Sequence, residues 1–296
     1  PGWISKCSKG ASSVLGRRYF GAIFMIPGKR PKLIATDLDG TIVPHLGPIS
    51  DRTVAAFKKA HELGIEIFYV TGRPPRWMNE VRDSFGFGNA ICANGAILYD
   101  LMNGRVLEQW LMPKENQLEV VKRLRKHLPG IYFAVEYDEE FHREIKYTTK
   151  WDIGLDNVGV ENIEEKIEHP AFKMLGRCGK NEFTSDQMLE IATRELDGIA
   201  NITHSNSSES LIEISAVGVS KGQTLSKMAA RAGLTSEDCV SFGDNPNDFS
   251  MLQWAARSWA MSDGHPDGWK YAKFVAEAHH HDGVAIVIEQ LLELPA

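Results

Sequence analysis

Three continuous apolar runs, separated by helix-patterned segments, constrain this chain more than any other feature. "KLIATDL", "IEIFYVTG" and "NAICANGAILYD" lack polar–apolar alternation, so each reads as a strand buried on both faces. Between the first two lies "SDRTVAAFKKAHELG", with Ser50 as a helix N-cap, apolar residues at helical spacing and Gly64 as a stop. Between the second and third lies "RPPRWMNEVRDSFG", a helix opened by prolines. The third run continues into a hairpin with "RVLEQW". Strand, helix, strand, helix, strand of this texture indicates an α/β fold whose parallel sheet is covered on both faces.

The texture changes near Pro113. "KENQLEVVKRLRKHL" reads as an amphipathic helix, "GIYFAVEYD" and "AFKMLGRC" as strands, "TSDQMLEIATRELDG" as a helix and "ANITHSNSSESLIEIS" as a strand or hairpin. This stretch reads as an α+β unit inserted into the first fold. The parallel-sheet texture resumes with "SKGQTLSKMAARAG", "DCVSFGD", "NPNDFSMLQWAA", "SWAM", "KFVA" and "DGVAIVIEQLLEL". The expected organisation is a core of residues 31–112 and 213–296, and an inserted unit of residues 113–212. Residues 1–30, with their scattered basic residues and the short run "FGAIFMI", are expected to form a poorly ordered extension.

The first run ends in "DLDGT", which places Asp37 and Asp39 at the carboxyl end of a buried strand. Carboxylates in an apolar setting are costly unless they are paired, metal-bound or neutralised. The segment "SFGDNPND" supplies Asp244, Asn247 and Asp248 at a second strand end. Hard oxygen ligands of this kind suit Mg²⁺, which takes one or two carboxylates and keeps waters for the rest. Thr71 and Gly72 in "YVTGR", and Lys221 at a helix start in "GVSKG", add a hydroxyl, a closely approachable backbone and an ammonium. Together these groups make a phosphate clamp. In open α/β sheets ligands bind at the carboxyl ends of strands, where Asp37, Thr71 and Asn94 all fall.

The ordered set "DLDGT", "VTGR", "SKG" and "GDNPND" resembles the haloacid dehalogenase superfamily, and more narrowly its Cof-type sugar-phosphatase branch. "CANGA" and "HDGVAIVIEQLL" also match that branch, and the likeness covers about residues 32–294. It implies a Rossmann-like parallel-sheet core with an inserted α+β cap that selects the substrate. It further implies a Mg²⁺-dependent phosphatase acting on small phosphate monoesters, sugar phosphates first, through an aspartyl-phosphate. By resemblance Asp37 is the nucleophile and Asp39 the general acid and base. Thr71 and Lys221 hold the phosphoryl group, Asn247 contacts the phosphate side, and Leu38, Gly72, Arg73 and Asn94 belong to the pocket. The implied metal ligands are Asp37, the Asp39 carbonyl and Asp244, with Asp248 as an outer or water-mediated ligand. The same core could serve a phosphomutase, and a non-catalytic phosphometabolite-binding regulator is a rival of another class.

Composition narrows the field. A net charge of −6 argues against a nucleic-acid backbone binder, which carries a basic face. No apolar run approaches the ~20 residues of a membrane helix. Cys7, Cys92, Cys178 and Cys239 are scattered without ligand spacing, so packed, reduced thiols and a cytoplasmic setting are expected. The "HHH" run, His279 to His281, is expected to be a solvated loop, because three consecutive side chains do not converge easily on one ion. The Asn201 sequon reads as chance, and Trp151 is a candidate for stacking on a substrate.

Overall fold

The computed structural model describes Ile26 and residues 28–137, 140–148, 158–179 and 182–296. Cys7 and Trp151 lie outside the described residues. Of the expected N-terminal extension, Ile26 packs into the main core and the Arg30 N–H donates to the Pro295 carbonyl.

The apolar runs form the centre of an eight-stranded sheet. Its strands are β1 (Leu33–Thr36), β2 (Glu66–Val70), β3 (Asn89–Cys92), β4 (Ile97–Asp100), β5 (Arg105–Gln109), β11 (Cys239–Gly243), β12 (Arg257–Met261) and β13 (Phe274–Ala276). They lie in the order β13-β12-β11-β1-β2-β3-β4-β5. The pairs from β13 through β3 are parallel, and β4 and β5 are added antiparallel at one edge. β1 is buried along its whole length, as continuous apolar sequence requires.

Helices α1 (Asp51–Glu62), α2 (Asn79–Phe85), α5 (Lys221–Arg231), α6 (Phe249–Trp254), α7 (Gly268–Tyr271) and α8 (Gly283–Leu292) belong to this half. The Ser50 side chain accepts from the Thr53 N–H, as the N-cap reading anticipates. One departure concerns the third run, which is two strands rather than one. The chain reverses at Ala93 and Asn94, whose φ values of 50° and 56° are left-handed. Asn tolerates that region better than most residues, and β3 and β4 pair antiparallel across the reversal. α7 went unanticipated because four residues are too few to show a period.

The inserted stretch forms a separate five-stranded antiparallel sheet, ordered β7-β6-β8-β10-β9. Its strands are β6 (Tyr132–Tyr137), β7 (Glu140–Arg143), β8 (Lys173–Arg177), β9 (Ala200–Thr203) and β10 (Leu211–Ala216). Helices α3 (Lys114–His127) and α4 (Ser185–Glu195) accompany them. β10 runs to Ala216, so the boundary expected at 212/213 falls inside a strand. Two covalent connections, after β5 and after β10, join this sheet to the core. Met112 in the first is welded to the inserted sheet, since its N–H donates to the Ala171 carbonyl at 2.7 Å and its carbonyl accepts from the Ala171 N–H at 3.1 Å. Among the described residues, no helix is long and apolar enough to cross a membrane. Cys92, Cys178 and Cys239 are free and buried.

Candidate active site

The parallel order places four strand ends side by side, because β1 lies between β11 and β2, with β3 beyond. Asp37 follows β1, Asp244 follows β11, Thr71 follows β2 and Asn94 follows β3. The Asp37 N–H donates to the Phe242 carbonyl at 2.9 Å and the Thr71 N–H to the Ile91 carbonyl at 2.8 Å. Both loops are therefore fixed by the sheet itself. Gly40 completes the turn at φ +80°, and a Cβ there would lie 2.5 Å from Asp244 Oδ2. Only glycine meets both conditions.

Lys221 opens α5 behind its Ser220 cap. The helix lies close to α6, and a Cβ on Gly222 would come within 2.4 Å of the Ser250 carbonyl. That approach carries the Lys221 side chain, fully buried, between two carboxylates. Its Nζ lies 2.5 Å from Asp37 Oδ1 and 2.6 Å from Asp248 Oδ1.

The carboxylates of Asp37, Asp244 and Asp248 lie within 4.8 Å of one another. Burial, then the Asp248 carboxylate, pushes the Asp37 carboxyl up to about 7. Burial and the Asp37 carboxylate raise Asp244 as well. Burial alone would lower Lys221, but Asp248 and Asp37 outweigh it and raise its pKa. One ammonium thus faces three buried carboxylates, which leaves a demand for further positive charge.

Asp248 is already satisfied. Its Oδ1 takes Lys221, and its Oδ2 accepts the N–H groups of Asp244 and Asn245 at 2.9 and 3.0 Å. Among the described residues, Asp37 Oδ2 takes only the Thr41 hydroxyl at 3.2 Å, and Asp244 Oδ2 only the Asn245 side chain at 2.7 Å. Spare acceptor capacity therefore sits on Asp37 and Asp244.

These shifts give a test with a definite sign. Between the ordinary carboxylate value of 3.8 and about 7, the folded protein holds a proton on Asp37 that the unfolded chain has lost. Stability of the cation-free protein should therefore fall as pH rises through that window. A divalent ion in the cluster removes the effect, so the rise in melting temperature on adding Mg²⁺ should grow from pH 4 to 7. A Mg²⁺-induced rise that is flat with pH would show that the cluster does not hold the ion.

Asp39 points elsewhere, with its side chain more than half exposed. The Arg73 guanidinium grips it through Nε at 2.8 Å and Nη2 at 2.5 Å, and reaches Glu80 at 3.2 Å. Thr71 and Leu38 are buried, and the Thr71 hydroxyl accepts from the Arg73 N–H at 3.0 Å. Asn94 and Asn247 are also buried and meet through their side-chain amides at 3.2 Å.

A cavity of about 780 Å³ opens above this cluster, lined on the core side by Asp37, Asp39, Gly72, Arg73, Asp244 and Asn247. The inserted sheet forms the opposite wall with Glu136, Tyr147, Lys173, Arg177, Glu213 and the segment 205–209. Sequence reasoning assigned none of these wall residues. Their signal was present: Glu136 and Glu213 are single charges in otherwise apolar strands β6 and β10, and Lys173 and Arg177 stand at the two ends of β8. Glu136 and Lys173 are directly opposite in the register, and both are buried, as is Glu213. Lys173 Nζ donates to the Gly72 carbonyl at 2.9 Å, and Glu213 joins the Asn94 amide to the Ser205 hydroxyl. Arg76 lies 3.4 Å from Glu136, and the Asn247 N–H donates to the His204 carbonyl at 3.2 Å. The two halves are thus bonded to each other around the cavity.

Residues 34–288 match the family model of haloacid dehalogenase-like hydrolases, so the chain belongs to that family. Within it the chain is an enzyme of the phosphatase type, as its curated relatives indicate. It is 28% identical to the 5-amino-6-(5-phospho-D-ribitylamino)uracil phosphatase YwtE of Bacillus subtilis, over 88% of this chain and 98% of that one. It is 26% identical to the pyridoxal phosphate phosphatase YbhA of Escherichia coli, over 78% of this chain and 88% of that one. Among solved structures, the fold is shared with the subclass IIB sugar phosphatase BT4131 at a TM-score of 0.71 and 21% identity. That match covers 87% of this chain and 98% of that one.

Proposed function

We propose that this protein hydrolyses small phosphate monoesters in a Mg²⁺-dependent reaction that passes through a phosphoryl group on Asp37. The observation that carries this reading is the cluster of Asp37, Asp244 and Asp248 around one buried ammonium, with Asp39 two residues beyond Asp37 on the cavity wall. The donor set fits Mg²⁺: oxygen ligands only, spare capacity on Asp37 and Asp244, and an unbalanced buried negative charge. Asp37 and Asp244 would hold the ion with the Asp39 carbonyl, and Asp248 would fix Lys221 and the turn beneath them. The ion when bound supplies charge neutralisation between the nucleophile and the phosphoryl oxygens.

The rest falls to the protein's own groups. Lys221 holds Asp37 in place and offers its ammonium to a phosphoryl oxygen, with the Thr71 hydroxyl and the Gly72 backbone beside it. Asn247 and Asn94 lie on the same side. An Asp37 oxygen attacks phosphorus, the ester oxygen departs with a proton from Asp39, and water with its proton taken by Asp39 then cleaves the acyl phosphate. Asp39 must first leave Arg73, and phosphoryl oxygens arriving in the cavity are competing partners for that guanidinium.

The inserted unit would act as the selecting cap. Its wall offers hydroxyls at Ser205, Ser207 and Ser208 among Lys173, Arg177 and Glu213, a surface suited to a polyhydroxylated group. Sugar phosphates lead on this ground, and the cavity volume also admits phosphorylated cofactors such as flavin mononucleotide or pyridoxal phosphate. A panel of these esters, assayed for released phosphate with Mg²⁺ and with EDTA, tests the reading. Hydrolysis with Mg²⁺ that EDTA abolishes is expected. Isomerisation without release would establish a phosphomutase, and binding without turnover a regulator.

A further inference from the structure

Two groups of histidine and aspartate gather outside the carboxylate cluster. In the first, Asp186 Oδ1 lies 2.8 Å from His204 Nε2 and 3.2 Å from His265 Nε2. The Asp267 N–H donates to His265 Nδ1 at 3.1 Å, so that nitrogen carries the lone pair and Nε2 carries the proton. A protonated nitrogen cannot ligate a metal, and this group is a hydrogen-bonded clasp between α4 and the loop after β12.

The second group is different. His279, His280 and His281 form a short 3₁₀ turn, and the first two turn Nδ1 toward the same oxygen, Asp263 Oδ2, at 2.7 and 3.4 Å. In the cation-free protein the 2.7 Å contact is a hydrogen bond from the His279 Nδ1–H to the carboxylate. No backbone donor holds either Nδ1 as an acceptor among the described residues, so a neutral ring is free to carry its proton on Nε2 instead and offer Nδ1 to a metal. Two of the three consecutive side chains face one oxygen, and the tight turn holds the His279 and His280 rings edge-on at 5.2 Å. The His279 N–H also faces Asp263 Oδ1 at 3.4 Å and orients the carboxylate. His45 meets His279 edge-on at 5.3 Å, and His45 and Asp263 both line the cavity.

We propose that Asp263, His279 and His280 form a second metal site at the cavity mouth, selective for a borderline divalent transition ion such as Zn²⁺. Two imidazole nitrogens and one carboxylate oxygen are the ligand set of three-ligand zinc centres that keep a fourth position open. Nitrogen ligands disfavour Mg²⁺ and favour Zn²⁺. Bonds of about 2.0–2.1 Å place tetrahedral ligand atoms about 3.3 Å apart, close to the longer spacing here; the shorter one must open by about 0.6 Å. A fourth position would be left to water or to His45, whose ring meets His279. The site is linked to the carboxylate cluster through one segment, since two residues after Asp263 the His265 N–H donates to the Asp244 carbonyl at 2.6 Å.

The test uses the full chain with Mg²⁺ in large excess, and Co²⁺ as a visible-absorbing stand-in for Zn²⁺. It reads binding, so it is independent of the phosphatase reading. One Co²⁺ per chain should bind, with visible bands of a nitrogen-ligated ion that Zn²⁺ abolishes. His280→Gln, at an exposed position outside the cavity lining, should keep Mg²⁺-dependent turnover. It should weaken Co²⁺ binding by at least the ~10–100-fold that loss of an outer partner costs. Asp263→Asn should weaken it similarly. Bands that persist in both variants overturn the proposal, as do bands that vanish only in Asp244→Ala. Absence of Co²⁺ binding under excess Mg²⁺ also overturns it and leaves the group as a hydrogen-bonded loop clasp.

Discussion

Asp39→Asn is expected to release nitrophenol from p-nitrophenyl phosphate in a burst approaching one equivalent per site, followed by slow turnover with phosphate trapped on the protein. The amide keeps the side chain's size but can neither protonate a leaving group nor deprotonate water. Nitrophenolate leaves with little protonation, so transfer to Asp37 survives better than hydrolysis of the acyl phosphate. With a sugar phosphate the leaving alkoxide needs the proton, and the first step should fall by roughly 10²–10⁴-fold. The Arg73 grip on Asp39 adds a second expectation: the amide releases the guanidinium, so weaker ester binding in Asp39→Asn would be unexpected. Asp37→Asn should show neither burst nor trapped phosphate. A burst that persists there would place the nucleophile on another residue.

Lys221→Met should damage both fold and chemistry. The ammonium bridges Asp37 and Asp248 from a fully buried position. Its removal leaves three carboxylates within 4.8 Å with no cation among them. Breaking a buried pair from one side costs about 3–5 kcal/mol. Part of that should return with Mg²⁺, so the melting-temperature deficit should be larger in EDTA than in excess Mg²⁺. Turnover should fall by about 10²–10³-fold, the scale for losing one preorganised charge donor. A variant that melts like the parent in EDTA would show that the carboxylates are compensated by something other than Lys221.

The legible parts of this protein were those where local pattern and tertiary role coincide. Strands β1, β2 and β11 are continuous apolar runs because both faces are covered, and their last residues lie at the ligand edge by topology alone. Asp37, Asp244 and Lys221 could therefore be brought together on paper. The reversal at Ala93 and Asn94 could not, because an apolar run carries no sign of where it folds back. Nor could the pairing of Asp39 with Arg73, or the satisfaction of Asp248 by two backbone N–H groups, since both depend on side-chain direction after a turn. The cavity wall was hidden for another reason. Glu136, Lys173 and Glu213 lie on three strands separated by long intervals, and only the register of the antiparallel sheet makes them neighbours.

The two connections between the sheets carry a mechanical consequence. A body held by one tether can swing and twist about any axis; one held by two parallel tethers is confined to rotation about the line through them. Here the tether after β5 is stiff, because Met112 is paired to Ala171 and its carbonyl also accepts from the Gln117 side chain. The other passes through the exposed Val217 and through Gly218, at φ +74° with open space where a Cβ would lie. If the inserted unit moves, it would have to break the bonds around the cavity and turn about these two tethers, of which the one with Gly218 is the less restrained. Such a turn would return the inserted wall to the same place over Asp37, whatever molecule had just left.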